Sequence, residues 1–262
     1  MSDPVFTLLQ QEQSQDAAPF APSAPAISWG IILLFVGVLI GRRIRQQPPA
    51  SEKGHSPHQL TFTQALQWVS YGKELERKEQ YEAAIAVYDR GLNQHPNDFR
   101  LWHERGLALA KLQRFEQALE SFNHAYALRP NDRDLAHERG DTLLQLEQFE
   151  QAIASFDRYL KYDPDSAHIL ADRGYALYRL DRYEEALRSL NQVLKVERRD
   201  RYSLIRAHYY QIESLRQLGQ LEAALHSSQN AIAQHSDEHF VAQHQAIQQQ
   251  ISQAITNQEQ LD

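Results

Sequence analysis

Residues 102–130 read WHERGLALAKLQRFEQALESFNHAYALRP, and three small or rigid residues of that stretch return along the chain at one interval. Gly106 recurs as Gly72, Gly140 and Gly174, Ala118 as Ala84, Ala152 and Ala186, and Pro130 as Pro96 and Pro164, each step being 34 residues. A glycine inside a helix costs about 1 kcal/mol relative to alanine. Four of them at one period therefore mark a place where a second helix comes too near for a side chain. Each alanine lies 12 residues beyond its glycine, on the next helix, where the same close approach is needed. The prolines end the second helix of each unit. Units of this kind bury their apolar faces only against their neighbours, which gives a stacked fold.

These residues resemble the tetratricopeptide repeat, a 34-residue helix–turn–helix with signature Trp, Leu, Gly, Tyr, Ala, Phe, Ala and Pro places. The second repeat matches at Trp102, Gly106, Leu109, Ala118, Phe122, Ala125 and Pro130. The first matches at Trp68, Gly72, Leu75, Ala84, Tyr88, Gly91 and Pro96, and the third at Gly140, Leu143, Ala152, Phe156 and Pro164. The fourth keeps Gly174, Leu177 and Ala186 but has Leu190 at the aromatic place and Arg198 for the proline. The family's Leu place is filled by Tyr71, Arg105, Arg139 and Arg173, a departure that leaves the packing glycine untouched.

After the fourth repeat the phase slips, because Ala186 and Ala224 are 38 residues apart. Either the helix over 201–218 is about one turn longer, or the turn near Arg198 is rebuilt. The expected fold class is all-α. A right-handed helical solenoid of about five repeats (65–98, 99–132, 133–166, 167–200 and a degenerate 201–238) fills residues 61–238. A capping helix over 239–257 follows, with Ile247, Ile251 and Ile255 as one apolar stripe on a Gln-rich segment. A repeat stack needs such a half-polar helix over its last apolar face.

The N-terminal part has a different character. No charged residue occurs from Ala17 to Gly41, and Ile27 to Ile40 reads ISWGIILLFVGVLI. A helix over 25–43 is long enough to span a bilayer when Arg42 and Arg43 snorkel and Trp29 sits at the opposite interface. A cleaved signal peptide would carry its basic residues before the apolar run, and here they follow it. The expectation is a single-pass anchor with the N-terminus outside and the repeats cytoplasmic, by the positive-inside rule. An apolar helix packed on the globular part is the alternative. Residues 1–24 read as a disordered tail and 44–60, with Pro48, Pro49, Gly54 and Pro57, as a linker.

The 262-residue chain has a formal net charge of −7 and no cysteine. Disulfide scaffolds, Cys-ligated zinc, iron–sulfur clusters and thiol nucleophiles are excluded. Asp3, Glu12, Asp16 and Glu52 balance Arg42, Arg43, Arg45 and Lys53, so the excess of acid falls on the repeats, and no nucleic-acid partner is expected. His235, Glu238 and His239 formally match H-x-x-E-H, a zinc-peptidase pattern. The register puts them at a turn rather than on the rigid helix that this chemistry needs. No enzyme activity, cofactor or metal is therefore expected, with a metal-dependent hydrolase as the remote alternative.

The resemblance implies that the first helix of each repeat lines an inner groove that binds protein partners. The residues it places there are His103, Glu104 and Lys111, then Asp134, His137, Glu138 and Asp141, then His168, Asp172, Tyr175, Tyr178 and Arg179. Glu104, Glu138 and Asp172 hold the sixth place of three successive repeats. An acidic stripe of this kind favours a basic or mixed-charge segment. A solvated face without a ligand is the alternative. His103 and His137 stand one repeat apart, and helices spaced about 10 Å apart hold two such imidazoles too far from each other to share a metal. Some members of the family grip a C-terminal carboxylate with a basic clamp. Here the clamp places hold Val69, Lys73, Glu104, Asp134 and Glu138, whose acids repel it.

A second patch is basic: Arg188, Lys195, Arg198, Arg199, Arg201 and Arg206 surround the phase slip. It either complements the dipole of the helix that ends there or docks on anionic lipid or an acidic protein surface. The function expected from all this is a membrane-tethered scaffold or adaptor that assists assembly or quality control of a membrane complex. The Gln-rich, Cys-free chain is also similar in character to cyanobacterial and plastid proteins of this family that assist photosystem assembly. A structural self-association module is the rival. The sequence does not state the oligomeric state.

Overall fold

The computed structural model describes residues 63–234 and 238–259, all within the unit formed by residues 61–262. The tail, the expected membrane helix over 25–43 and the linker lie outside the described residues. No described helix is long and apolar enough to cross a membrane.

The described residues form eleven helices and no strand. They are α1 (Ala65–Arg77), α2 (Tyr81–Gln94), α3 (Phe99–Lys111), α4 (Phe115–Leu128), α5 (Arg133–Gln145), α6 (Phe149–Tyr159), α7 (Ala167–Arg179), α8 (Tyr183–Lys195), α9 (Arg201–Gln217), α10 (Leu221–Gln234) and α11 (Glu238–Glu259). Each packs on its predecessor and its successor in the chain, the contact pattern of a helical solenoid.

The glycine period has a steric cause. A Cβ at Gly106 would lie 2.5 Å from Cε1 of Phe122, and one at Gly140 would lie 2.4 Å from Cε1 of Phe156. Both rings are fully buried, as are Ala118 and Ala152 beside them. The odd-numbered helices α1 to α9 all end in a Schellman turn, in which the third residue past the end reaches back five positions: Gln80 to Leu75, Arg114 to Leu109, Gln148 to Leu143, Arg182 to Leu177 and Gln220 to Leu215. The left-handed residue of that turn is Glu79, Gln113, Glu147, Asp181 and Gly219 in turn. Asp98, Asp132 and Asp200 begin α3, α5 and α9 by accepting hydrogen bonds from backbone N–H groups of the first turn.

Where the signature fails, other groups take over. Helix α8 ends without a proline, and Arg199 donates to the carbonyls of Leu194 and Val196 at 2.8 and 2.7 Å. Helix α6 stops at Tyr159, well before Pro164, and finishes as a tight turn with Tyr162 N–H on Tyr159 O. The phase slip is an added turn inside α9, which has 17 residues where α7 has 13. Helix α11 covers the end of the stack, with Ile247 and Ile251 buried against Ile212, Leu215 and Ala224.

A ladder of polar contacts occupies the place where the family carries Leu. Arg105 donates to Asp89 and Ser121, Arg139 to Asn123 and Ser155, and Arg173 to Asp157 and Ser189, all at 2.6 to 2.8 Å. Each arginine thus ties the second helix of the preceding repeat to the second helix of its own. In the fifth unit Gln211 takes over this place and donates to Asn191.

Candidate functional site

Helices α1, α3, α5, α7 and α9 touch one another in order as well as touching their own partners, so they line one continuous inner face. The most extensive of these contacts is between α7 and α9. All the residues expected to bind a partner lie on α3, α5 and α7, the central three.

The sixth place does not form a free acidic stripe. Glu104 is buried and accepts from Nζ of Lys73 at 2.7 Å. Asp172 is buried and accepts from Arg206, its counterpart one repeat on. Burial pushes the Asp172 carboxyl above the usual carboxylate range, against the opposing charges of Arg206 and His168. Arg206 is itself only 5% exposed, with its guanidinium 4.7 Å over the rings of both Tyr175 and Tyr202. It therefore leaves the basic surface where its sequence neighbours placed it, because its turn of α9 faces α7. The acid of the sixth place that makes no ion pair among the described residues is Glu138, whose carboxyl burial pushes up against the nearby charges of His137 and Lys111. Asp134, exposed at the mouth, pairs among the described residues with its neighbour Arg133 at 3.2 Å.

Three histidines line the same face in different surroundings. His103 stacks on Phe99 at 5.6 Å, and burial depresses its pKa. His137 loses some basicity to burial, but the adjoining Asp141 carboxylate, at 3.1 Å, outweighs that and holds its pKa up at about 9. His168 lies 3.3 Å from Asp172, and its ring meets that of His137 edge to face at 5.3 Å. The histidines that meet are thus His137 and His168, not His103 and His137.

Tyr175, Tyr178 and Arg179 form the far wall. Tyr175 is buried against Tyr210 at 4.9 Å and accepts from Arg179 at 2.7 Å. Tyr178 stays half-buried between Tyr183 and Tyr210. Arg179 lies over Phe149 and pairs with Glu147 at 3.4 Å. Lys111 is exposed.

Of the remaining basic residues, Arg188, Lys195, Arg198 and Arg201 are exposed. Arg188 reaches Glu185 at 3.7 Å, and Arg199 is taken up by the carbonyls at the end of α8. His235 and the side chains of Glu238 and His239 lie outside what is described.

Two tetratricopeptide-repeat family models match residues 75–137 and 137–203. Residues 75–203 are tetratricopeptide repeats. A comparison with curated proteins gives no match. Among solved structures, YrrB, described as a TPR protein with an unusual peptide-binding site, superposes with a TM-score of 0.63 at 19% identity, over 70% of this chain and 92% of that one. The MamA RS-1 ArsTM double mutant gives 0.60 at 18%, over 68% of this chain and 100% of that one. MamA from residue 41 to its end, from Desulfovibrio magneticus RS-1, gives 0.59 at 17%, over 66% and 96%. At these identities the likeness is one of fold.

Lys73, the base at the clamp places, is already committed to Glu104. An acidic C-terminal peptide is expected to show no micromolar binding in a fluorescence-anisotropy titration. Saturable micromolar binding would overturn the reading of this face as acid-lined.

Proposed function

We propose that the protein is a membrane-tethered adaptor that binds basic or mixed-charge segments of partner proteins on the inner face of its repeats and assists assembly or quality control of a membrane complex. The observation that carries the recognition step is Glu138, a half-buried carboxylate that makes no ion pair among the described residues, at the centre of the face, with Asp134 beside it at the mouth. A ligand Lys or Arg that reaches Glu138 replaces lost water with a charge-assisted hydrogen bond. The half-buried Tyr178 offers a ring on which an apolar or cationic side chain stacks. The unusual peptide-binding site described for YrrB supports a peptide ligand for this fold.

Tethering is supported by the uncharged run from Ala17 to Gly41 and the arginines after it. Such an anchor places the repeats on the cytoplasmic side and raises their effective concentration near a membrane complex. The exposed Arg188, Lys195, Arg198 and Arg201 would then serve as a second contact with an anionic surface.

The test is affinity recovery from solubilised native membranes, followed by mass spectrometry, with the wild-type chain beside an Asp134→Lys, Glu138→Lys variant. Loss of membrane-complex subunits from the variant is the expected result, and identical partners from both baits would move recognition off this face. Asp172 and Glu104 are left intact in the variant because each is half of an internal ion pair.

A further inference from the structure

His137 belongs to the fifth place of its repeat and His168 to the second place of the next, 31 positions on. Stagger between successive first helices brings these two places level, which is why the rings meet at 5.3 Å. Asp141 follows His137 by one helical turn, so that its carboxylate and the His137 imidazole share one edge of α5. One donor atom from each of His137, Asp141 and His168 can be chosen so that all three lie within 4.8 Å of one another.

We propose that His137, Asp141 and His168 form a binding site for a divalent transition metal of the zinc, cobalt and nickel class, bridging α5 to α7. Metal–ligand bonds of about 2.0–2.1 Å in a tetrahedron put donor atoms about 3.3 Å apart. His137 Nε2 and Asp141 Oδ2, at 3.1 Å, already have that separation. The His168 donor needs to move by only about 1.5 Å, within reach of small torsional adjustments of its half-exposed side chain inside one staggered well. Two imidazoles and one carboxylate suit borderline ions and discriminate against magnesium and calcium, which prefer all-oxygen shells.

The surroundings are those of a supported site. Asp172 stands 3.3 Å from His168 Nε2 and is itself fixed by Arg206, so the imidazole is backed by an immobile carboxylate. Carboxylates in this position set the tautomer and orientation of metal-bound histidines. Three protein ligands leave a fourth position open, on a face that carries no other covalent or ionic link from α5 to α7 among the described residues. The bound ion fastens the third repeat to the fourth, next to the point where Arg206 fastens the fourth to the fifth. This site is independent of any partner, and its test reads the metal alone.

The full-length chain in detergent is titrated with cobalt(II), then with zinc(II). The expected result is a visible absorption band typical of four-coordinate cobalt, saturating at one equivalent and erased by zinc. His137→Gln and His168→Gln each weaken zinc binding at least about 10-fold, the size typical of disturbing a metal shell. A His235→Gln, His239→Gln variant, which removes the H-x-x-E-H match, keeps the band. In the wild-type chain, cobalt broadens the imidazole proton resonances of His137 and His168 ahead of those of the other histidines, a readout that needs no variant to fold. No saturable band, a band that survives both groove substitutions, or broadening confined to other histidines would overturn the proposal.

Discussion

Asp172→Ala lowers the unfolding free energy of the repeats by about 3–5 kcal/mol, the cost of removing one member of a buried ion pair. The substitution keeps Arg206 where α9 packs on α7, 5% exposed and enclosed by Tyr175 and Tyr202. A guanidinium does not escape by losing its proton, so its charge stays buried with the Asp172 carboxylate gone. Replacing both partners by apolar residues of similar volume, as in Asp172→Leu with Arg206→Met, removes that frustration, and most of the stability returns. Urea denaturation of the four members of this cycle, with chelator present throughout, measures the coupling. Additive losses in the double variant would mean that the pair is a surface ornament rather than the fastening between the fourth and fifth repeats.

That pair also marks how far the sequence carries. The repeat unit was legible because its decisive constraint falls on single residues: a glycine facing a ring leaves a trace at every 34th position. The helix starts at α3, α5 and α9 are set by Asp98, Asp132 and Asp200, each capping its own helix with its own neighbours, a local signal that the reading of the repeat period did not use. The slip after the fourth repeat was visible as an offset, but only the Gln211 to Asn191 bond and the length of α9 place it inside a helix rather than in a turn.

The site was read less completely, for a geometric reason. A period of one repeat says which residues share a line along the inner face, and Glu104, Glu138, Asp172 and Arg206 do share the sixth place. It does not say which charges on that line touch, because that depends on helix stagger and rotation. Lys73 reaches Glu104 across 31 positions, Arg206 reaches Asp172 across 34, and His168 meets His137 across 31. Arg206 was grouped with Arg198, Arg199 and Arg201 by nearness in the chain, although a helix turns successive residues to different faces. The arginine ladder was present as a signal: Arg105, Arg139 and Arg173 each have Asp or Asn 16 positions before and Ser 16 positions after. The departure from Leu is therefore a substitution of one fastening for another, a buried apolar contact exchanged for two charge-assisted hydrogen bonds at the edge.

Gly140→Ala destabilises the protein in its natural background and stabilises it when Phe156 is also replaced by alanine. The methyl carbon would lie 2.4, 2.8 and 3.1 Å from three atoms of the Phe156 ring. That ring is fully enclosed by Leu143, Ala152 and Ile169, with Leu119 and Leu160 closing round them, so it has nowhere to retreat. Overpacking of this kind costs about 1–3 kcal/mol, more than the roughly 1 kcal/mol that alanine gains over glycine in a helix. Phe156→Ala alone costs about 3–5 kcal/mol through lost burial and the cavity it leaves. In that background the new methyl points into vacated space, the clash is gone, and the helix-propensity gain of about 1 kcal/mol stands alone. The change of sign is the signature of direct contact between the two positions, and thermal or urea unfolding of the four proteins reads it. An equal cost of Gly140→Ala in both backgrounds would place the role of the glycine in the backbone instead. At the fourth repeat the facing side chain is Leu190, whose nearest atom is 2.5 Å from the same imagined carbon. A leucine has rotamers that a wedged ring lacks, so Gly174→Ala costs less than Gly140→Ala, and the order of the two losses separates steric exclusion by the neighbour from any need of the helix for glycine itself.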